Sequence, residues 1–129
     1  MLKKWRLTLR FVFPMKRFMI ELWQGYIGMK IIWHELAIEE LASIGEKVSE
    51  MFGEKVADRV VDDIMNRVGT LAANPFLGTK DDRYVPFRVL HSWHNRVFYL
   101  VADKEIRIIA IWDNRRDEKK LPRLLSSRL

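Results

Sequence analysis

The chain contains no cysteine, so it can form no disulfide bond and can offer neither a thiolate nucleophile nor thiolate ligands for zinc or an iron–sulfur cluster. Long apolar runs are missing as well. The apolar stretch near the N-terminus is interrupted by Lys16 and Arg17, well short of the ~18 residues that a membrane-spanning helix needs. The composition therefore predicts no transmembrane segment and fits a secretory signal peptide poorly, and we expect a cytoplasmic protein.

The apolar material that is present suffices for one folded domain. The chain has 129 residues, of which 49% are hydrophobic and 12% aromatic. At roughly 150 residues per domain, this length and composition indicate a single small globular unit with a proper core.

The distribution of charge carries more information than the total of +6. Residues 1–28 hold six basic side chains against one acidic, residues 29–82 hold six against eleven, and residues 83–129 hold eleven against five. The basic last third predicts a face that meets phosphate or another acidic partner, although a solvated basic surface would give the same count.

Residues 1–28 show no hydrophobic period and mix aromatic residues with cations. Two interpretations stay open for this basic N-terminal extension. It is either an arm that lies on a membrane surface or wraps an anionic partner, or sequence upstream of a start at Met29, where clear patterning begins. We expect residues 29–129 to form the single domain.

A helical hairpin is predicted after a short first strand. The β-branched and aromatic run Lys30–His34 is typical of a strand. Two helical periods follow, separated by Gly53, and the second closes at Asn74 before Pro75. The apolar positions are Ala37, Leu41, Ile44, Val48 and Met51 in the first helix, and Ala57, Val60, Val61, Ile64, Val68 and Leu71 in the second. The glutamates of the first helix lie off this apolar face, so the outer face of the hairpin is acidic.

Three extended runs follow a loop whose turn residue is Gly78. They cover residues 85–91, 96–102 and 105–112, and their short connections favour antiparallel pairing. The order β-α-α-β-β-β predicts an α+β fold, with the helical hairpin on one face of a mainly antiparallel sheet. In the last run, Ile109 and Ile111 are expected to oppose Ile106, Ile108 and Ala110. Because both faces of the last two strands are apolar, the second face also needs a cover, either the chain's own termini or a partner protein.

Four strings in this order carry a family resemblance. They are "ADRVVDDI" in the second helix, "NPFLG" after it, "RVL" then "NRVFYLV" on consecutive strands, and "IRIIAIWDNRRDEKKL" at the end. Over residues 29–121 the chain resembles the RelE/ParE toxin superfamily of type II toxin–antitoxin systems. It is most similar to the ParE-like, plasmid-stabilisation branch, although Asn95 stands where that branch usually has an aromatic residue.

The resemblance implies a small growth-inhibiting toxin that is neutralised by a cognate antitoxin, whose tail wraps the toxin. ParE-like members act on DNA gyrase, whereas RelE-like members cut mRNA on the ribosome without a metal. The cleaving members use basic residues on the sheet and a Tyr or His near the C-terminus. By position, Arg96 and either Arg115 or Arg116 match those arginines, and Arg88 lies near a strand lysine. No Tyr or His follows Arg116 here.

Candidate site residues cluster around the last strands. Arg88, Arg96, Arg115 and Arg116 can hold phosphate oxygens with their forked donors, or bind a protein target. In the connecting loop, Trp93 can stack on a base or anchor a partner, and it could equally be a core contact. His91 and His94 are weak candidates for acid–base catalysis, and as a metal pair they lack a third ligand, so we expect no metal and no cofactor.

Three functional hypotheses therefore stand. The first is a ParE-like toxin that inhibits DNA gyrase by occupancy, which the missing C-terminal Tyr or His favours. The second is a RelE-like, ribosome-dependent mRNA endonuclease, for which the basic strands argue. The third and weakest is an RNA-binding or membrane-surface protein that uses the basic N-terminal arm.

Overall fold

A computed structural model describes the backbone of residues 19–21 and the whole of residues 29–129. The strands are β1 (Met19–Glu21), β2 (Lys30–His34), β3 (Thr79–Lys80), β4 (Arg88–Ser92), β5 (Asn95–Val101) and β6 (Glu105–Asp113). The α-helices are α1 (Glu35–Phe52), α2 (Glu54–Thr70) and α3 (Leu121–Ser127), and single 3₁₀ turns lie at Asp82–Tyr84 and Glu118–Lys120. Apart from β1, the first 28 residues lie outside the described part of the chain.

The described strands form one mixed six-stranded sheet in the order β1-β2-β6-β5-β4-β3. Only β2 and β6 pair in parallel, and the other neighbours are antiparallel. The α+β class and the mainly antiparallel sheet are thus confirmed. The parallel pair brings the first predicted strand against the last one, which requires the helical hairpin as a crossover between them.

The helical hairpin packs on one face of the sheet, as the periodicity predicted. Apolar residues of both helices, including Leu41 and Ile64, form one core cluster with Trp33, Val97 and Ile106 of the strands. The hairpin turns at Gly53, whose φ of 91° is a left-handed conformation that glycine adopts without steric cost. Met51, predicted on the buried face, is instead 63% exposed because the end of α1 extends past the sheet.

The last strand presents its side chains differently from the expected alternation. A β-bulge pairs Phe98 with Ala110 but Tyr99 with Ile108, so Ile109 has no direct partner. Ile111 consequently joins Ile106 and Ile108 on the helix side, while Ile109 and Ala110 both face the opposite side. The expected opposition of Ile109 to Ala110, and of Ile111 to Ile106 and Ile108, was therefore wrong, because one extra residue reverses every side chain beyond it.

The second face of the sheet is covered by the chain's own C-terminal segment. Leu121 and Leu125 of α3 pack with Phe98, Trp112 and Tyr84 in a second core cluster. The periodicity did not predict α3, whose apolar residues are three leucines within seven residues. Of the two covers left open by the sequence, the terminus of the chain fills this role rather than a partner.

The strand predicted from residue 85 begins only at Arg88. Phe87 donates its backbone N–H to the carbonyl of Tyr84 at 2.8 Å in a turn, and Pro86 has no N–H to offer a neighbouring strand. Among the described helices, none is long and apolar enough to cross a membrane.

Candidate functional site

The turn between β4 and β5 places an exposed tryptophan against the helical hairpin. Trp93 has a φ of 55°, unusual for a bulky residue, and its side chain is 51% exposed. Its indole Nε1 donates a hydrogen bond to Oδ2 of Asp63 in α2 at 3.0 Å. This bond holds the ring in a fixed orientation while leaving much of its apolar surface in contact with solvent.

Beside Trp93 lies a mostly apolar cavity of about 250 Å³, which we call the hairpin groove. Its walls come from both helices and from the ends of β5 and β6. The lining residues are Ile44, Lys47, Val48, Phe52, Val56, Val60, Trp93, His94, Asn95, Asp113 and Arg115. Phe52 is 63% exposed at the tip of the hairpin, and Met51 beside it is equally exposed. Adjoining apolar groups of this size left in solvent are typical of an interaction surface.

Arg115 stands at the rim of the hairpin groove with its charge already paired. Its Nε and Nη2 donate to Oδ1 and Oδ2 of Asp113 at 3.0 and 2.8 Å. Hydrogen bonding to this guanidinium lowers the pKa of Asp113 and raises the pKa of Arg115. The pair fixes the arginine in a forked geometry, so a partner would meet a neutralised cation.

Arg96 lies inside the protein. The residue is only 6% exposed. Its Nη2 donates to Oε1 of Glu118 at 2.6 Å, and its Nε donates to the side chain of Asn114 at 2.7 Å. The guanidinium also lies over the rings of Tyr84 and Phe98. These contacts tie β5 to the C-terminal segment, so the structure favours a structural role over the predicted contact with phosphate.

Arg88 and Arg116 point to two further places. Arg88 donates to the carbonyl of Gly78 at 2.7 Å and lies 4.8 Å from the ring centroid of Phe76, so it holds the loop after α2. The guanidinium of Arg116 lies 4.2 Å from the ring centroid of Trp112 on the second face and is exposed. The four predicted arginines therefore do not converge on one anion.

The two candidate histidines lie in different surface clefts. His94 lines the hairpin groove, whereas His91 lines a polar cleft against α2, together with Asp63, Asn66, Arg67, Thr70, Ser92 and Trp93. Both imidazoles are exposed. Over the residues that the structure describes, no three His, Asp or Glu side chains are grouped so that they could hold a metal ion.

Sequence reasoning missed the residues that the helical hairpin contributes to the groove. Phe52 and Val56 flank Gly53, and Lys47 lies one turn before them. The available clue was an aromatic residue directly before the helix-ending glycine, four residues after Val48 and so on the same helix face. Its exposure could not be inferred, because that depends on where the sheet ends beneath the helices.

A protein-family model, that of the ParE toxin of the type II toxin–antitoxin system parDE, matches residues 31–118. This range includes the helical hairpin and all of β4, β5 and β6. The chain belongs to the ParE toxin family. A solved structure of the chromosomal ParDE toxin–antitoxin system from P. aeruginosa is similar to this ParE-family chain, with 28% sequence identity and a TM-score of 0.55. The similarity covers 61% of this chain and 88% of that one. No curated protein matches it. The family predicted from the four strings is thereby confirmed.

Proposed function

We propose that this ParE-family chain is a toxin that inhibits growth in the cytoplasm by binding DNA gyrase, without a cofactor, and that a cognate antitoxin neutralises it. The family assignment carries this proposal. The target and the antitoxin go beyond that assignment, and the geometry supplies separate support for each.

Inhibition by occupancy is supported by how the basic residues are used. Cleavage of RNA at the 2′-hydroxyl needs a base, an acid and cations that converge on one phosphate. Here Arg96 is engaged by Glu118, while His91 and His94 open into different clefts. A toxin that acts by binding a protein needs no such convergence.

Neutralisation is supported by the hairpin groove. Phe52 and Trp93 expose apolar surface on its two sides, and Lys47 adds a cation at the rim. An antitoxin segment with apolar anchors and an acidic flank would match both features. We therefore place the antitoxin contact at this groove.

The target is tested with the purified chain in two assays side by side. We expect loss of supercoiling by DNA gyrase and intact mRNA on translating ribosomes. Cleavage of mRNA together with unaffected gyrase would contradict the gyrase proposal and favour a RelE-like endonuclease that acts on translated mRNA.

The antitoxin contact is tested with the product of the adjacent open reading frame. Phe52→Asp should weaken capture of that product by more than tenfold, because a carboxylate would be desolvated in an apolar contact. Val85→Asp is the matched control, since Val85 is 69% exposed and does not line the groove. Equal capture of the two variants would show that the antitoxin does not contact Phe52 in the hairpin groove. The gyrase proposal would be unaffected by that result.

A further inference from the structure

Four exposed cations follow one another on the C-terminal segment, and we call them the C-terminal ridge: Arg116, Lys119, Lys120 and Arg123. In the described part of the chain, none of them has a carboxylate within 4 Å. Other arginines of the basic last third are paired, among them Arg107 with Glu105 and Arg115 with Asp113. The charge of the ridge is therefore available to a partner.

The backbone that carries the ridge is firmly held. Leu121 and Leu125 are buried in the second core cluster. The carboxylate of Asp117 accepts the backbone N–H of Lys119 at 3.0 Å and so caps the 3₁₀ turn. Arg116 lies over Trp112, which is only 2% exposed. A partner would thus meet cations on a preformed scaffold, which lowers the ordering cost of binding.

The acidic residues within this segment cancel little of its charge. Glu118 is occupied by Arg96 at 2.6 Å and lies 3.6 Å from Arg83. Asp117 is the remaining carboxylate between Arg116 and Lys119. Residues 116–123 therefore carry four exposed cations against two carboxylates, one of which, that of Glu118, is already paired with Arg96.

We propose that the C-terminal ridge binds the phosphate backbone of duplex DNA. Lys119 and Lys120 lie four and three residues before Arg123 on consecutive helical turns, a separation that brings side chains to within ~5–6 Å of each other. Duplex DNA carries one phosphate per ~3.4 Å of axis on each strand, so cations this close together can contact several phosphates. Lysine and arginine contacts to phosphate supply affinity without reading sequence. This inference does not depend on the gyrase proposal, because the duplex itself is the ligand.

Two other polyanionic partners fit the ridge less well. Single-stranded nucleic acid is held mainly by stacking on exposed aromatic rings, and the ring beneath Arg116 is that of the buried Trp112. A membrane surface is bound most strongly where an apolar helix face inserts beside the cations, whereas Leu121 and Leu125 of α3 face the core. Phosphate contact along a duplex needs neither feature.

The test measures binding of the full chain to a fluorescent 30-base-pair duplex of arbitrary sequence, over ~50–200 mM salt. Four phosphate contacts predict that log affinity falls against log salt with a slope of about −3.6. Joint substitution of Lys119→Ala, Lys120→Ala and Arg123→Ala should weaken binding at least tenfold at low salt and reduce the slope by about 2.7. Because these side chains are exposed, unfolding curves should match those of the unsubstituted chain.

A control variant removes the same charge elsewhere, through Arg59→Ala, Arg107→Ala and Arg115→Ala. We expect this variant to bind the duplex within about twofold of the original chain. Equal weakening by both variants would show that only net charge matters and would overturn the ridge as a site. Unchanged binding by the ridge variant, tighter binding to single-stranded DNA, or tighter binding to anionic vesicles would each overturn the proposal as well.

Discussion

The guanidinium groups of Arg96 and Arg115 differ in their surroundings, although both residues belong to the basic last third. Arg96 is buried between β5 and the 3₁₀ turn that carries Glu118, whereas the side chain of Arg115 is 62% exposed and reaches only to Asp113, two residues before it. The pair of Arg96 with Glu118 joins a buried cation to a distant, partly exposed carboxylate and ties two segments together, whereas a local exposed pair contributes little.

We expect Arg96→Ala to lower the free energy of unfolding by about 2–3 kcal/mol, because it removes two hydrogen bonds of a charged donor while Glu118 can return to water. Arg115→Ala should leave the free energy of unfolding nearly unchanged, because an exposed pair contributes little. Urea unfolding measures both values. A loss of growth arrest would then be informative only for Arg115→Ala, because Arg96→Ala also destabilises the fold. Equal stabilities of the two variants would contradict the structural role of Arg96.

His34 gives the stability of the protein a dependence on pH. Its Nδ1 accepts the backbone N–H of Leu36 at 3.0 Å and caps α1. Burial lowers the pKa of His34 below its ordinary value of 6.5, and the nearby charge of Arg128 lowers it further. Since the unfolded chain binds this proton at higher pH than the folded chain does, the stabilisation is complete above pH 6.5 and is lost as pH falls through the folded-state pKa.

We expect His34→Asn to flatten the decrease in stability below pH 6.5, because asparagine retains a cap acceptor and takes up no proton. Denaturant unfolding between pH 7.5 and 5 measures the slope. His34→Ala should flatten it equally, with lower stability at every pH because the cap is gone. An unaltered slope in both variants would assign the pH dependence to another group.

At the scale of elements, β6 continues past the end of β2, which leaves backbone groups on that edge of β6 without a strand partner. The amide of Ile111 donates to Oε1 of Glu40 in α1, and the carbonyl of Ile109 accepts from Arg128. Arg128 and Glu40 also form a two-pronged ion pair, with both distances at 2.9 Å. This pair of side chains thus satisfies backbone groups at the edge of β6 and connects the C-terminal residues to the helical hairpin.

We expect Arg128→Ala to cost about 3–5 kcal/mol, because it leaves the largely buried carboxylate of Glu40 without its cation. Adding Glu40→Gln should restore part of this loss, since the amide oxygen can still accept from Ile111 and carries no charge. Arg123→Ala on the same helix is the control and should change stability by less than about 0.5 kcal/mol. Additive losses in the double variant would rule out coupling between Glu40 and Arg128.

At the scale of the whole molecule, β1 lies on the outer edge of β2. It pairs Met19 with His34 and Glu21 with Ile32. The two core clusters draw their members from residue 29 onward. Every described residue of the two hydrophobic clusters therefore lies within residues 29–129.

We expect residues 29–129 alone to unfold cooperatively, with a modest loss of stability from the three-residue strand. Comparing calorimetric and van't Hoff enthalpies of the full and shortened chains checks this. A shortened chain without a cooperative transition would show that residues 1–28 belong to the folding unit.

Local patterning predicted much of the architecture, because burial on one side of an element leaves a period in the sequence. The end of α1 at Gly53 follows from backbone chemistry, whereas α2 ends at Thr70, four residues before the predicted end at Asn74. Four of the six described strands, β2, β4, β5 and β6, were likewise recognisable from β-branched and aromatic runs, which need no long-range information, whereas β1 and β3 were not predicted. The family could be named because four such strings occur in a fixed order.

Only the tertiary structure decided which groups are free to act. Arg96 and Arg115 are both arginines near strand ends, and the packing of residues 118–125 across the second face buries one and leaves the other exposed. The bulge that reverses Ile111 and the exposure of Phe52 also arise from contacts between segments distant along the chain. The hydrophobic period of a segment indicates which of its faces is buried and which is exposed to solvent. The partner of a charged side chain depends instead on which distant segments the fold brings beside it.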